Sequence, residues 1–273
     1  MDQKISEFSY GFALTNELVG WTTLKAAPIF PSLIEEGKSG GGYDVKLDMP
    51  GTVLYLQFKR AHCMMRRSAR EIKEHDAELS IPFYRFHITD VSYSDQHEFL
   101  IELDDGTCDV FYVAPRFHKY SEINDAWAAK AVATRSIFVR PRAIGTLSPG
   151  SHHVAYDGSH AYLCSKPKPI DFVSAETLIE KLTTQLSADE RPLRSRLPEL
   201  TSAMGRAVER GRQRTGVPFS AVGPRGALAD LAKAPIPMRV ATLPPDAGAR
   251  QLRELADKAL QHFDAQLVVV QKG

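Results

Sequence analysis

Apolar and polar positions along this chain repeat with two different periods, and each change of period marks a change of element. Residues 7–19 (EFSYGFALTNELV) carry Phe8, Phe12, Leu18 and Val19 among small and polar residues, which predicts an opening helix. Pro28 and Pro31 then break the chain, residues 32–36 allow one or two helical turns, and Gly37-Lys38-Ser39-Gly40-Gly41-Gly42 reads as a flexible loop. Residues 43–48 alternate, Met49-Pro50-Gly51 turns, and residues 52–59 are β-branched and aromatic, so the pair is expected to form a hairpin. Residues 66–79 are charged and helical in propensity, and 82–88 (PFYRFHI) alternate like a strand.

The mixed pattern continues. Residues 95–103 suit a short helix, 109–113 a strand, and Ser121 with Asp125 opens a helix containing Trp127. Residues 131–139 read as helix giving way to strand, and two short strands at 153–156 and 161–164 lead to Pro167 and Pro169, the expected end of a domain. Beyond them come a helix over 174–186 and a basic, loosely packed helical segment over 191–214, interrupted by Pro198, Gly205 and Gly211. A Pro-, Gly- and Ala-rich linker follows at 215–245, then a helix over 247–263 and a strand over 266–270. No internal repeat is visible.

Composition leaves this picture in place. The 43% hydrophobic and 25% charged fractions exclude wholesale disorder, a fibrous repeat and a coiled coil. The longest apolar run, around Leu267–Val270, is too short to span a bilayer, so no membrane partner is expected. The opening Met-Asp-Gln-Lys carries no secretory pattern, and Cys63, Cys108 and Cys164 are isolated, which fits a cytoplasmic chain without structural zinc. Net charge refines the division. The total of +1 combines 14 Lys and Arg against 7 Asp and Glu in residues 191–273 with an acidic remainder. Such a shift predicts two parts, 1–172 and a basic accessory region 173–273, the latter suited to a polyanion, a partner subunit or a second copy of the chain.

The chemistry concentrates in residues 40–60 (GGYDVKLDMPGTVLYLQFKR). On a strand, Gln57 and Lys59 share one face and Phe58 takes the other. A carboxylate at Asp44 beside this pair makes an arrangement of metal ligand and ammonium. Asp44 and the Gln57 carbonyl oxygen would bind a hard divalent cation, Mg²⁺ or Mn²⁺, and Lys59 would stabilise charge developing at phosphorus or position the attacking water.

The order Gly42-Tyr43-Asp44 followed by Gln57-Phe58-Lys59-Arg60 resembles the PD-(D/E)xK nuclease superfamily, and within it the Mrr-like restriction endonuclease group. The likeness covers residues 7–90 in motif order. It implies an α/β fold with a restriction-endonuclease-like core, a mixed central sheet flanked by helices, over 1–172, followed by the basic, mainly helical region. It also implies an acidic residue on the opening helix, here Glu17, as a further metal ligand. Catalytic roles then fall to Asp44, Gln57, Lys59 and Glu17, and the implied activity is metal-dependent hydrolysis of nucleic acid, DNA favoured over RNA, in restriction or anti-phage defence. Gln57 replaces the more usual Glu and removes a negative charge from the metal site, so a catalytically silent scaffold that binds nucleic acid or a partner subunit is the alternative.

Among other features, Asp48 ranks below Asp44 as a ligand. Gly37-Lys38-Ser39 fails as a phosphate loop, because the first glycine of that motif would fall at Ser32 with no strand before it. His87 and His153 suit hydrogen-bonded strand positions better than a general base. Arg60, Arg85, Arg206 and Arg210 are the candidates for gripping phosphate. No aromatic residues interleave with the C-terminal arginines, which speaks against base stacking there.

Overall fold

A computed structural model of the chain describes residues 5–19, 24–29, 45–73, 77–215 and 247–272. In chain order these form α1 (Glu7–Val19), β1 (Leu24–Ile29), β2 (Gly51–Phe58), β3 (His62–Met64), α2 (Arg70–Lys73), β4 (Phe83–Ile88), α3 (Gln96–Leu103), β5 (Asp109–Pro115) and α4 (Tyr120–Ala128). There follow β6 (Ser136–Val139), α5 (Pro141–Ile144), β7 (His152–Tyr156), β8 (Ala161–Leu163), β9 (Lys168–Pro169), α6 (Ala175–Ala188), α7 (Leu193–Thr215), α8 (Ala247–Phe263) and β10 (Gln266–Lys272). Two five-stranded sheets result. The first has the order β1-β10-β2-β5-β6, with β2 and β5 parallel and the other neighbours antiparallel. The second, β3-β4-β7-β8-β9, is antiparallel throughout. The protein is thus α/β, with a mixed sheet flanked by helices.

Strands buried on both faces read as continuous apolar runs, and β2, β5 and β10 do so. Val53, Tyr55, Val110, Tyr112, Leu267 and Val269 join one core with residues of α3, α7, α8 and the second sheet. Leu54, Leu56, Phe58, Phe111, Val113, Val268 and Val270 alternate with them into the opposite core, shared with α1, α4 and α6. In α6, Leu178, Leu182 and Leu186 recur every four residues and are buried, and the Ser174 hydroxyl caps the helix by accepting from the Thr177 N–H at 3.2 Å.

Several expectations are corrected. Residues 45–50 form a turn ending in an isolated bridge between Pro50 and Pro192, so 43–48 and 52–59 do not make a hairpin over the described residues. The place beside β2 is taken by β10, which pairs with it from Gln266↔Leu56 to Gln271↔Gly51. Because β10 lies between β1 and β2, a boundary at 172/173 divides the chain but not the sheet: the C-terminal region supplies an inner strand. Pro28 does not end its segment. β1 lies at a sheet edge, where a missing N–H is tolerated, and Pro28 faces Val268 there. Within the described part of 66–79, only Arg70–Lys73 is helical.

The segment over 191–214 is neither interrupted nor loose. α7 is one 23-residue helix running through Pro198, because Leu193, Leu197, Leu200, Ala203, Met204 and Ala207 bury one continuous stripe. At its far end, a Cβ on Gly211 would lie 1.7 Å from a Phe99 ring carbon, so glycine there sets how closely α7 approaches α3. The glycine loop 37–42 and the linker segment 216–245 lie outside the described residues. Among those described, no helix is long and apolar enough to cross a membrane.

Candidate active site

β2 delivers Gln57 and Lys59 to the face it shares with Val53 and Tyr55. The Lys59 N–H still donates to the Val113 carbonyl at 2.8 Å, so the pairing with β5 continues past the end of the strand. Both side chains are withdrawn from water: Gln57 is 1% and Lys59 9% exposed. Phe58 points the other way. Its ring lies edge-on to Tyr10 at 5.8 Å and against Gly11, where a Cβ would come within 3.1 Å of it. That close approach sets the first turn of α1 over the end of β2, and a Glu7 carboxylate oxygen accepts from the Arg60 N–H at 3.3 Å.

The second carboxylate arrives from the opposite end of the chain. α8 turns into β10 through Asp264, whose φ of 47° is left-handed, with the Asp264 N–H donating to the Leu260 carbonyl at 3.1 Å. The antiparallel register that sets Gln266 beside Leu56 brings this turn level with Gln57 and Lys59. Gln96 of α3 braces it by donating to the Phe263 carbonyl at 2.9 Å.

Desolvation dominates the electrostatics of the group. Burial pushes the Asp264 carboxyl above the usual carboxylate range, against the pull of Lys59, Gln96 and Gln57. Glu7 is likewise raised by burial, with Lys59 opposing and the charge of Asp264 adding to the rise. Burial lowers Lys59, while Glu7 and Asp264 act in the other direction. The amide of Gln57 faces the Asp264 carboxyl, yet neither its Oε1 nor its Nε2 makes a well-formed hydrogen bond with any described residue. A buried amide left open in this way is costly unless something else occupies it.

These features fit a hard divalent cation. Glu7, Asp264 and the Gln57 Oε1 together offer two anionic oxygens and one neutral one, and a cation would offset the burial that disfavours both carboxylates. Among the described residues no three His, Cys, Asp or Glu side chains are gathered to hold a metal by themselves.

The sequence-predicted residues separate accordingly. Gln57 and Lys59 are together, while Asp44 lies outside the described residues. Glu17 is elsewhere: it stands ten residues along α1 from Glu7, about 15 Å at 1.5 Å per residue. Its carboxylate accepts from the N–H groups of Val132 at 2.7 Å and Ala133 at 3.1 Å, holding the turn after α4. Asp48 is 82% exposed and pairs with Arg194 at 2.9 Å, beside the start of β2. The eight residues of β2 separate that end from Lys59 by about 26 Å.

Arg60 follows Lys59 at the rim of the site and is exposed. Arg85 is bound to the buried Glu71 at 2.7 Å on the second sheet. Arg206 and Arg210 lie on α7, half exposed, in loose pairs with Asp105 at 3.8 Å and Glu102 at 3.7 Å. His87 and His153 are cross-strand neighbours with ring centroids 5.1 Å apart. Burial lowers both, His153 to about 4.

Sequence reasoning missed Glu7 and Asp264. The only local sign of Asp264 is an Asp at a junction between helix and strand, a residue type that tolerates left-handed backbone. Glu7 has the acidic character expected of the opening helix, one end removed from the position chosen. Known proteins add nothing to this geometry: no protein-family model, no curated protein and no solved structure matches the chain.

Proposed function

We propose that the protein is a metal-dependent phosphodiesterase acting on nucleic acid, with Glu7, Gln57 and Asp264 as the metal-binding residues and Lys59 as the cationic catalytic group. The observation that carries the reading is the desolvated Lys59 under the opposing charges of two partly buried carboxylates, Glu7 and Asp264, beside a buried Gln57 amide without a well-formed hydrogen bond to any described residue. The finer fold assignment, a PD-(D/E)xK core, is supported by the mixed sheet and by the Gln-x-Lys pair at the end of an inner strand. In this reading Asp264, at the start of the antiparallel strand next to β2, takes the role first expected of Asp44. DNA as substrate and a role in restriction or anti-phage defence follow from the sequence resemblance.

A bound divalent cation supplies Lewis acidity towards a phosphoryl oxygen. Lys59 places its positive charge where negative charge grows on phosphorus, in a site whose exclusion of water strengthens the interaction. Lys59 would also orient the attacking water beside a cation held by Glu7, Gln57 and Asp264. Arg60 at the rim and the half-exposed Arg206 and Arg210 offer contacts to the phosphate backbone. The test is cleavage of plasmid DNA and of an RNA of similar length in Mg²⁺, comparing the wild type with a Lys59→Ala protein whose fold is verified by circular dichroism. Loss of cleavage is expected. Equal cleavage by the two proteins refutes the mechanism, and a preference for RNA reassigns the substrate.

One observation favours a second reading. A donor set with two carboxylates and a neutral amide carries less charge than one with Glu at position 57, as suits a silent scaffold that binds nucleic acid or a partner subunit. Titration calorimetry with Mg²⁺ and Mn²⁺ separates the two: binding heat that disappears in Asp264→Asn supports the enzyme, and its absence from the wild type supports the scaffold.

A further inference from the structure

One aromatic ring in contact with the site has no part in the chemistry above. Tyr112 of β5 is the register partner of Gln57 and is 1% exposed. The Lys59 Nζ lies 5.2 Å from the centroid of its ring, inside the about 6 Å over which a ring face attracts an ammonium. The ring is itself held in place. Phe86 lies 5.8 Å from it, and His97 stacks on it at 5.8 Å with 23° between the planes. The Tyr112 hydroxyl is 2.8 Å from the His97 Nδ1, and the His97 Nε2 is 2.9 Å from the Gly145 carbonyl oxygen.

A carbonyl only accepts, so the neutral imidazole carries its proton on Nε2, and Nδ1 must accept from the Tyr112 O–H. Gly145 has a φ of 79°, a left-handed conformation that favours glycine and aims the carbonyl at the imidazole. The chain from Gly145 through His97 to Tyr112 therefore has one hydrogen-bond polarity, and it ends in a ring turned towards Lys59. Lysine needs such help, because its ammonium rides on a flexible four-carbon stem. Glu7 and Asp264 act on Lys59 through space, and no direct ion pair of Lys59 is present among the described residues.

We propose that Tyr112, anchored through its hydroxyl by His97, is the positioning residue that holds the Lys59 ammonium over the site. The proposal rests on the reading of Lys59 as the catalytic cation and goes beyond it by naming what fixes the orientation of that group.

Two measurements test it. In protein labelled with ¹³C-lysine, and with the resonance assigned through Lys59→Arg, the Lys59 ε-methylene protons are expected upfield of the other lysines by the ring current of Tyr112. The shift shrinks in Tyr112→Phe, which keeps the ring but loses the hydroxyl anchor to His97, and disappears in Tyr112→Leu; an undiminished shift in Tyr112→Phe overturns the anchoring role of His97. A wild-type resonance at the ordinary lysine position overturns the proposal. This arm needs no cleavage activity, so its failure is distinct from failure of the phosphodiesterase reading. The second arm compares Tyr112→Phe with Tyr112→pentafluorophenylalanine, which keeps the ring shape and reverses its electrostatics. Turnover of DNA in Mg²⁺ is expected to fall about tenfold in the fluorinated variant relative to Tyr112→Phe, with KM unchanged. Equal turnover in the two variants, or a change confined to KM, overturns it. Because these two side chains have nearly the same shape, a folding defect moves them together and leaves the comparison intact.

Discussion

Replacing Asp264 by glycine separates chemistry from architecture at the central residue of the site. Asp264 sits at φ 47°, a conformation costing a side-chain-bearing residue roughly 1–2 kcal/mol, less for Asp and nothing for glycine. Against that relief stands the larger unfolded-state entropy of glycine, about 0.4–1 kcal/mol. The backbone bond from the Asp264 N–H to the Leu260 carbonyl survives the change. The two terms leave a net change between about zero and 1 kcal/mol in favour of the variant. A 273-residue chain has an unfolding entropy near 0.6 kcal/mol/K, so Tm is expected to stay level or rise by about 2 °C.

Burial adds a pH signature. With its pKa raised in the folded state, the Asp264 carboxyl binds its proton more tightly there than in the unfolded chain. The wild type therefore gains stability relative to Asp264→Gly as pH falls through the folded pKa towards 3.8, and the advantage of the variant is greatest near neutrality. Cleavage and Mn²⁺ binding should nevertheless fall about a hundredfold or more, since even residues that only support metal ligands cost 10–100-fold when removed. Differential scanning calorimetry at pH 7 and 5, paired with plasmid cleavage, checks both halves. A fall of about 4 °C or more in Tm, with activity reduced only in proportion to the folded protein remaining, refutes the reasoning and makes Asp264 a structural turn residue.

Other outcomes follow from the same geometry. Glu17→Gln leaves one of the Val132 and Ala133 N–H groups without its carboxylate oxygen and should cost about 1–3 kcal/mol by urea denaturation. Glu7→Gln should abolish cleavage while Glu17→Gln spares it, and the reverse result would restore Glu17 to the site. Gly205 and Gly211 lie on the same helix but predict opposite signs. Gly205→Ala meets nothing within 4 Å and should gain up to about 1 kcal/mol, whereas Gly211→Ala drives a methyl into Phe99 and should lose about 1–3 kcal/mol in thermal unfolding. His97, buried and lowered to about 4, stays neutral in the fold while the unfolded imidazole takes a proton below 6.5. Its contribution is intact above 6.5 and is lost as pH falls towards 4, by about 3 kcal/mol in all. The stability difference between wild type and His97→Gln should shrink by that amount between pH 7 and 4.

What the sequence discloses divides along the range of the interactions involved. α6 and α8 are legible because Leu178, Leu182 and Leu186, and Leu252, Leu255 and Phe263, recur at helical spacing over several turns, although Leu260, read on the same face of α8, is only half buried and Ala259 is buried instead. β2 is legible from its β-branched and aromatic run, and with it the shared face of Gln57 and Lys59. Partner choice is not legible. Residues 43–48 alternate as an edge strand should, but the neighbour of β2 must be apolar on both faces. Leu267–Val270, more than 200 residues away, meet that need, whereas the alternating segment does not. The same non-local pairing carries Asp264 to the end of β2, so a carboxylate assigned to the proposed site lies in a region whose composition suggests only an accessory role. The basic stretch misleads for a related reason: its arginines are conspicuous in sequence, while the buried leucine and alanine stripe that binds α7 to the core is spread among them.

The central claim is that Glu7, Gln57 and Asp264 converge on one cation beside Lys59, and anomalous diffraction from a Mn²⁺-soaked crystal tests it most directly. The account predicts a single peak about 2.0–2.4 Å from a carboxylate oxygen of Glu7, a carboxylate oxygen of Asp264 and the Gln57 Oε1. A peak held by other residues, or none at these three in a crystal that admits the ion, contradicts it.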